Sequence, residues 1–346
     1  MNKTVAVALS GGVDSTASAL LLKKQGYNVF GVTMKLYTEQ ACEDAKLVAE
    51  KLSIPFHIID LVEEFEEKVI NTFINQYLDG FTPNPCIICN INMKYGSLFD
   101  KAMDLGADYL ALGHYAKVEK DLELNEYKLK KSPIERKDQS YYLYHLNQQK
   151  LGKLMLPLSD FKSKDTVRQQ VLELIPEIAK KKDSTDICFT GGKSLYDYIK
   201  EKRSLNNTTG YFKDKAGHYL GEHKGIFNYT IGQKRGLNIS AKQTYFVESI
   251  NAKTNIITLS NSEKDLYKSE IKVKNLTFIS PLTSNKKEIK AQVKLCQWGY
   301  FIPCTLYNEG AEISTIKFDE PQRAPAKGQA AVLYENDCVL GGGIIV

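Results

Sequence analysis

The stretch that most constrains the fold lies near the start of the chain, where an apolar run ends in two glycines. Residues 5–9 read Val-Ala-Val-Ala-Leu, which is typical of a buried β-strand, and Ser10, Gly11 and Gly12 follow. Asp14 and Ser15 then open a helical pattern. Glycine lets the backbone approach a ligand closely, and a helix N-terminus carries partial positive charge. The stretch therefore predicts a strand–turn–helix unit that offers backbone N–H groups to a phosphate.

This turn is neither of the two commonest glycine-rich nucleotide motifs. No Gly-Lys-Ser/Thr follows the glycines, as a Walker A loop requires, and G-x-G-x-x-G is absent. Ser-Gly-Gly-Val-Asp-Ser at residues 10–15 instead resembles the pyrophosphate loop of ATP pyrophosphatases, which split ATP into AMP and pyrophosphate. The alternative is a plain glycine turn between a strand and a helix.

Strands and helices alternate through the first part of the chain, which predicts an α/β fold with a parallel sheet. We expect helices over 14–25, 42–52, 63–78, 91–105 and 163–174, and strands over 28–36, 55–61 and 107–112. A β-hairpin is predicted over 117–131, and helices nearly vanish after residue 205. The predicted units are a catalytic domain (1–204), a small β-rich central domain (205–270) and a C-terminal β-barrel (271–346).

Composition indicates an ordinary globular protein with a mildly basic charge. The net charge is +5, and lysines cluster at 128–131, 180–182 and 286–290, which permits contact with nucleic-acid phosphates but equally suits a solvated surface. No apolar run reaches the ~18 residues of a membrane span, so we expect no membrane partner. The seven cysteines and the absence of an export signal make structural disulfides unexpected and favour a cytoplasmic location.

Three of the cysteines stand in unusual surroundings. Cys86 and Cys89 follow Asn84 and Pro85 in a C-x-x-C pattern, and we expect Cys89 to sit just before a new helix, whose N-terminus would lower its thiol pKa. A zinc half-site would need a second Cys/His pair, which the chain lacks at suitable spacing, and two packed cysteines are the other alternative. Cys188 follows a polar Asp-Ser-Thr-Asp segment and on its own could be a core residue.

A series of short motifs in one order extends over nearly the whole chain. It comprises Ser10–Ser15, Met34, Asn84-Pro85 with Cys89-Asn90, Gly113-His114-Tyr115, Lys137-Asp138-Gln139-Ser140, Asp183-Ser-Thr, Ile187-Cys188-Phe189, Tyr229–Gly236 and Gly328-Gln329. This series resembles the tRNA-specific 2-thiouridylases. The resemblance implies ATP-dependent replacement of the C2 oxygen of the tRNA wobble uridine by sulfur: ATP adenylates that oxygen, and a cysteine persulfide delivers the sulfur.

The resemblance also implies a role for each matching residue. It makes Cys89 the nucleophile and Cys188 the persulfide carrier. The nucleotide contacts that it implies are Ala8, Leu9, Ser10, Gly11, Gly12, Val13, Asp14, Ser15, Met34 and Gly113. The contacts to the target base and tRNA that it implies are Asn84, Pro85, Cys86, His114, Lys137, Asp138, Gln139, Lys294 and Gln329. ATP with Mg²⁺ and tRNA are the expected ligands, and a persulfide-donor protein or inorganic sulfide is the expected sulfur source.

The chain departs from the family pattern at two places. The family commonly has Asp where Cys86 stands, so Cys86, Cys89 and Cys188 could instead hold a [4Fe–4S] cluster with one open iron. In the last domain an Arg-Tyr pair is expected where Lys294 and Leu295 stand, which leaves a positive charge without an aromatic partner.

Several predicted contacts could instead be purely structural, and two other functions are possible for the chain as a whole. His114 could cap a strand end, and residues 137–139 could be an ordinary polar turn. The chain could be another pyrophosphatase-loop ligase, although such enzymes need no cysteine trio. It could also be a non-catalytic RNA-binding protein, although the intact Ser10–Ser15 series argues against that.

Overall fold

We describe a computed structural model of the chain, covering residues 2–181, 183, 186–206, 208–240, 243–310 and 312–346. The α-helices are α1 Val13–Lys24, α2 Gln40–Leu52, α3 Val62–Phe65, α4 Thr72–Leu78, α5 Pro85–Cys89, α6 Leu98–Asp104, α7 Gln148–Leu151, α8 Lys164–Leu172, α9 Pro176–Ala179, α10 Leu195–Lys202 and α11 Pro281–Ser284. The π-helical segments Glu66–Asn71 and Asn90–Ser97 join α3 to α4 and α5 to α6.

The strands fall into three sheets. They are β1 Thr4–Ala8, β2 Asn28–Lys35, β3 Phe56–Asp60, β4 Tyr109–Ala111, β5 Lys117–Asp121, β6 Glu126–Lys130, β7 Leu154–Met155, β8 Gly210–Asp214, β9 Tyr219–His223, β10 Phe246–Asn251, β11 Ile256–Ser260, β12 Tyr267–Phe278, β13 Glu288–Lys294, β14 Ile302–Tyr307, β15 Ile313–Arg323, β16 Ala330–Glu335 and β17 Cys338–Ile345. The α/β class and the parallel first sheet are confirmed.

The first sheet has the order β3-β2-β1-β4-β7, and all its pairings are parallel. Successive residues of β1 point to opposite faces, as in any strand. Ala6 therefore packs in one core, whereas Val5 and Val7 pack in another against α1, α2 and α8. Burial on both faces explains why β1 is continuously apolar, and it leaves the carboxyl ends of the strands as the edge for ligands.

The C-terminal barrel is closed, as predicted. Its strands run β12-β15-β14-β13-β16-β17, and β12 also pairs with β17. Closure leaves no free sheet edge in the ring. The predicted hairpin β5–β6 joins this sheet from the first domain, with Lys130 opposite Cys338 and Leu129 opposite Val339.

The barrel and the parallel sheet share one hydrophobic core. Val332 and Tyr334 of β16 pack in the same cluster as Ala6 and Leu110 of the parallel sheet. The central sheet, in the order β10-β11-β8-β9, has its own core around Phe212 and Val247. The barrel is therefore packed onto the sheet that carries the nucleotide-type loop. No helix among the described residues has the length and apolarity to cross a bilayer.

Candidate active site

The turn between β1 and α1 is held by hydroxyl groups and by a glycine with positive φ. The backbone N–H of Ser10 donates to Ser15 Oγ at 3.1 Å, and Ser15 Oγ donates to the carbonyl of Gly12 at 3.1 Å. Gly11 has φ +68°, and a Cβ there would lie 2.2 Å from Cβ of Asp44. Gly11 is thus required both by its backbone conformation and by the close approach of α2. Leu9 and Val13 are buried in the core, and the N–H of Leu9 donates to the carbonyl of Val32 at 2.8 Å.

Gly113 brings the end of β4 against the first turn of α1. A Cβ at Gly113 would lie 2.7 Å from the carbonyl carbon of Asp14 and 2.9 Å from the nitrogen of Ser15. No larger residue fits without displacing that turn. Met34, near the end of β2, packs partly buried between two core clusters. The ends of β1, β2 and β4 therefore bring these predicted nucleotide contacts to one edge.

Asp14 lies in a charged network that the sequence did not predict. It accepts a hydrogen bond from the Tyr115 hydroxyl at 2.7 Å and forms an ion pair with Lys164 Nζ at 3.0 Å. Lys164 also contacts Asp183 at 2.6 Å. One ammonium group therefore bridges two carboxylates beside the loop.

Asp183 is the hub of the same network. Lys137 contacts it at 2.7 Å and Arg168 at 3.2 Å. Partial burial alone would raise the pKa of Asp183, but the hydrogen bonds from Lys137 and Lys164 outweigh it and lower the pKa to about 2. Asp183 is therefore ionised at neutral pH. Ser184 and Thr185 of the Asp183-Ser-Thr motif lie outside the described residues.

The helix at the C-x-x-C motif starts earlier than expected. Asn84 is its N-cap, and the side-chain Oδ1 accepts from the N–H groups of Cys86 at 3.0 Å and Ile87 at 3.4 Å. Pro85 occupies the first helical position, where a missing N–H costs nothing. The prediction that Cys89 precedes the helix is therefore wrong: Cys86 lies in the first turn and Cys89 ends α5. We call residues 80–85, which lead into this helix, the proline loop.

The fold brings Cys89 and Cys188 together around Tyr37. Tyr37 follows β2, and burial, Cys188 and Cys89, in that order, raise the pKa of its hydroxyl. Cys89 and Ile187, next to Cys188, pack against the same apolar cluster. The Tyr37 ring contacts Phe65 at a centroid distance of 5.9 Å, and Phe65 in turn contacts Phe189 at 5.9 Å. Phe189 is buried and anchors the segment that carries Cys188, which is itself exposed.

Burial controls the ionisation of Cys89. It raises the pKa of the Cys89 thiol to about 11, despite the opposing effect of the Lys94 ammonium. The expected lowering of this pKa by a helix N-terminus is therefore wrong, because Cys89 lies at the end of α5. The thiol is protonated at neutral pH.

The three thiols of the site, all among the described residues, are not gathered around a position for a single metal ion. Within the residues that the structure describes, no group of three or more His, Cys, Asp or Glu side chains is arranged to hold a metal ion. Cys86, Cys89 and Cys188 are all free thiols, and all three are described. Thiolates on a [4Fe–4S] cluster bind different iron atoms and lie farther apart than the ligands of one ion, so the cluster alternative stays a prediction.

His114 is buried and does not lie at the surface of the protein. Its Nδ1 hydrogen-bonds the Tyr95 hydroxyl at 2.8 Å, and Lys94 Nζ lies 3.5 Å from Nε2. Burial, with help from Lys94 and His145, lowers the pKa of His114 well below its ordinary value. The imidazole is therefore neutral, and a contact of this residue to tRNA stays a prediction.

Several other predicted tRNA contacts have partners within the protein. Gln139 is bonded to the main chain of Tyr115, with its Oε1 accepting from the Tyr115 N–H at 3.0 Å. Asp138 is buried, and it accepts from the N–H of Ser132 at 2.8 Å. Lys294 is buried and donates to the carbonyl of Gln297 at 2.7 Å. Asp138 and Lys294 are buried with these partners, whereas Gln139 is only half-buried, and the contacts of all three to tRNA stay predictions.

Lys164 and Tyr37 are the residues that the sequence reasoning missed. A lysine at the first position of a helix is unfavourable beside the positive end of the helix dipole, and that is the signal that could have marked Lys164. Tyr37 carries no such signal, because its importance arises only when Cys188 is folded against it.

The fold and this edge together define a nucleotide-using α/β protein with two β domains. Residues 3–192 match the family model described as tRNA methyl transferase HUP domain. Residues 197–261 match the tRNA methyl transferase PRC-barrel domain, and residues 268–345 match the aminomethyltransferase beta-barrel domain.

Curated relatives narrow this class to one family. The chain is 44% identical to the tRNA-specific 2-thiouridylase MnmA of Clostridioides difficile over 358 residues, covering 100% of this chain and 98% of the relative. It is 41% identical to the protein of the same name from Clostridium acetobutylicum, covering 100% of both. The chain belongs to the tRNA-specific 2-thiouridylase family.

Solved structures add little to this assignment. A 4-thiouridine synthetase–RNA complex with bound ATP is 17% identical, with a TM-score of 0.35, and covers 54% of this chain and 45% of that one. A predicted subunit of tRNA methyltransferase from Methanocaldococcus jannaschii is 23% identical, with a TM-score of 0.32, and covers 49% and 76%. Superpositions this partial carry no argument about function.

Proposed function

We propose that this protein replaces the C2 oxygen of the wobble uridine of tRNA with sulfur, using ATP, in the cytoplasm. The observation that carries the proposal is the meeting of two distant cysteines beside the nucleotide-type loop. Cys89 and Cys188 converge on Tyr37 after β2, and the Ser10–Ser15 turn follows the adjacent strand β1. The names of the curated relatives support the same substrate and reaction.

The Ser10–Ser15 turn is the proposed binding site for ATP phosphates. Its backbone N–H groups and the helix dipole of α1 favour anions, and Gly113 keeps the neighbouring strand end close to this turn. Mg²⁺ prefers carboxylate oxygen, and Asp14 and Asp183 supply carboxylates on either side of Lys164. The metal would neutralise phosphate charge, and Lys164 would exchange its contacts when the anions arrive.

The sulfur-transfer step needs two cysteines, one that carries the sulfur to C2 of the uridine and one that then releases it. The terminal sulfur of a Cys188 persulfide attacks C2 of the adenylated uridine, and the C2–O bond breaks as AMP leaves with the oxygen. The Cys89 thiolate then attacks Cys188 Sγ, which forms a Cys89–Cys188 disulfide and releases the C2 thiocarbonyl. An external thiol must reduce this disulfide before another turnover. Cys86 is exposed in the first turn of α5, and the base is proposed to enter beside it.

The uridine must leave the stacked anticodon loop to reach these thiols. Single-stranded RNA bases are read after they unstack, and enzymes that modify a base take it into a pocket. Asn84, Pro85 and Lys137 are the proposed neighbours of that base and its tRNA, whereas the side-chain amide of Gln329 is bonded to the carbonyl of Thr82. The sulfur donor is proposed to be a protein persulfide, because Cys89 and Cys188 act on each other electrostatically and supply the two thiols that a persulfide route needs.

Single cysteine substitutions test the two-thiol route. Cys89→Ser and Cys188→Ser should each reduce tRNA thiolation by on the order of a thousandfold or more, the size expected when a covalent nucleophile is lost. Cys42→Ser, at a buried position outside the site, is the matched control and should retain thiolation. Thiolated tRNA is quantified by mass spectrometry of nucleosides. Wild-type thiolation by either site variant contradicts the two-thiol route.

Anaerobic purification tests the sulfur source. We expect protein without stoichiometric iron that is active with a persulfide donor and inactive with sulfide alone. Protein that holds about four irons and accepts sulfide would instead support the cluster route through Cys86, Cys89 and Cys188. ATP turnover without any tRNA product would favour another ligase, and tRNA binding without ATP turnover would favour a binding protein.

A further inference from the structure

The proline loop is bonded to a turn of the C-terminal barrel. The N–H of Thr82 donates to the carbonyl of Lys327 at 2.7 Å, and the side-chain Nε2 of Gln329 donates to the carbonyl of Thr82 at 2.6 Å. Both backbone polar groups of Thr82 are thus bound by the turn between β15 and β16. We call residues 326–329 the barrel turn.

The barrel turn is itself held firmly. The N–H of Gly328 donates to the carbonyl of Ile345 at 2.9 Å, and the N–H of Ile345 donates to the carbonyl of Gln329 at 2.9 Å. Gly328 has φ +91°, and a Cβ there would lie 3.0 Å from Cβ of Phe81 and 3.1 Å from the nitrogen of Pro83. The turn is therefore fixed to the last barrel strand and fits closely against the proline loop.

A fixed Thr82 determines where the helix with the cysteines begins. Asn84, two residues later, caps α5, and Pro83 and Pro85 on either side have restricted φ angles. A displacement of Thr82 would therefore also displace Asn84, the residue that caps α5. The central domain adds a weaker contact, because Thr82 Oγ1 donates to Thr230 Oγ1 at 3.3 Å.

We propose that Gln329 is a positioning residue that fixes the proline loop, so that the C-terminal barrel sets the geometry of Cys86 and Cys89. Its importance for catalysis rests on the function proposed above. The hydrogen bond to Thr82 does not, because it can be measured without any turnover. This role differs from a direct contact to tRNA, in which the side-chain amide would serve the RNA.

Gln329→Leu tests the proposal by removing the donor while keeping similar bulk. Hydrogen exchange measured by mass spectrometry should become about two- to tenfold faster in the peptide that contains Thr82, Cys86 and Ile87, as expected when one hydrogen bond is lost. Thiolation kcat should fall on the order of tenfold or more, because small displacements of reacting groups are costly. The Kd for tRNA should stay within about twofold of wild type.

Gln322→Leu is the matched control. Gln322 also donates its side-chain amide to a main-chain carbonyl, that of Glu320 at 2.7 Å, but within the barrel. It should leave the proline-loop peptide unchanged. Exchange in β16 reports in the same run whether each variant has folded.

Two results would overturn the proposal. One is unchanged exchange in the proline-loop peptide of a folded Gln329→Leu protein. The other is a loss of tRNA affinity that equals the whole loss of kcat/KM, which would make Gln329 an RNA contact. A wild-type protein without thiolation activity would refute the proposed function, whereas the exchange comparison would still test the hydrogen bond.

Discussion

The nucleotide-type turn and the region of Tyr37, Cys89 and Cys188, which we call the cysteine cleft, lie at the same edge of the parallel sheet but are built in different ways. The turn is local: Ser10, Gly12 and Ser15 bond to one another within six residues of chain. The cleft is assembled from Tyr37, Cys89 and Cys188. The proline loop, which leads to Cys86 and Cys89, is bonded to Gln329 of the barrel turn. One site depends on a short motif, and the other on the packing of distant segments.

The comparison shows why the two regions differ in charge. Asp14 and Asp183 share the ammonium group of Lys164, and the hydrogen bonds from Lys137 and Lys164 lower the pKa of Asp183 to about 2. Cys89 is enclosed by apolar side chains and is kept neutral. A turn that binds anions needs charged side chains beside it. A thiol with a raised pKa stays protonated and unreactive until an activated substrate is bound.

Of the three tests below, we expect the largest effect from removing the Asp14 carboxylate, which affects the turn and not the cleft. Asp14→Ala should lower tRNA-dependent AMP release by about a hundredfold or more, the scale of losing one directed electrostatic contact to a reacting group. Alkylation of Cys188 should be unchanged, because the cleft does not depend on Asp14. Asp165→Ala, at an exposed position on α8, is the control. Normal AMP release from Asp14→Ala would refute the assignment of the turn.

A second test uses the raised pKa of Cys89. Below this pKa of about 11 the thiolate fraction rises with pH, so iodoacetamide modification of Cys89 should accelerate about tenfold per pH unit from pH 7 to 10. In the urea-denatured chain the rise should level off near an ordinary thiol pKa of about 8.5. Peptide mass spectrometry assigns the modified cysteine. Identical profiles for folded and denatured protein would show that the cleft does not protect this thiol.

The smallest expected effect concerns the hydroxyl that joins the two cysteines. Tyr37→Phe keeps the ring contact with Phe65 but removes the hydroxyl that interacts with Cys188, so single-turnover thiolation should slow about two- to tenfold. AMP release should be unaffected. Tyr219→Phe, exposed on the central sheet, is the control. An equal loss of AMP release in Tyr37→Phe would mean that the turn and the cleft are not separable.

Much of the fold was predictable because its signals are local. The helix after Gly12, the strands β2 and β3 and the hairpin β5–β6 all lie within a few residues of their expected bounds. The start of α5 was missed, although Asn84 followed by Pro85 is a recognisable helix cap. The attachment of the hairpin to β17 could not be foreseen, because strand pairing between distant segments leaves no mark on either one alone.

The sequence by itself determined the chemistry that is available: a glycine turn with Asp14, and three thiols in polar or proline-rich surroundings. Only the tertiary structure decided how these groups behave. It buried His114 and Lys294, raised the pKa of Cys89, made Lys164 a bridge between two carboxylates and bonded Gln329 to Thr82. The physical reason is that ionisation and hydrogen bonding depend on the dielectric surroundings and partners of a group, which arise only when distant segments pack together.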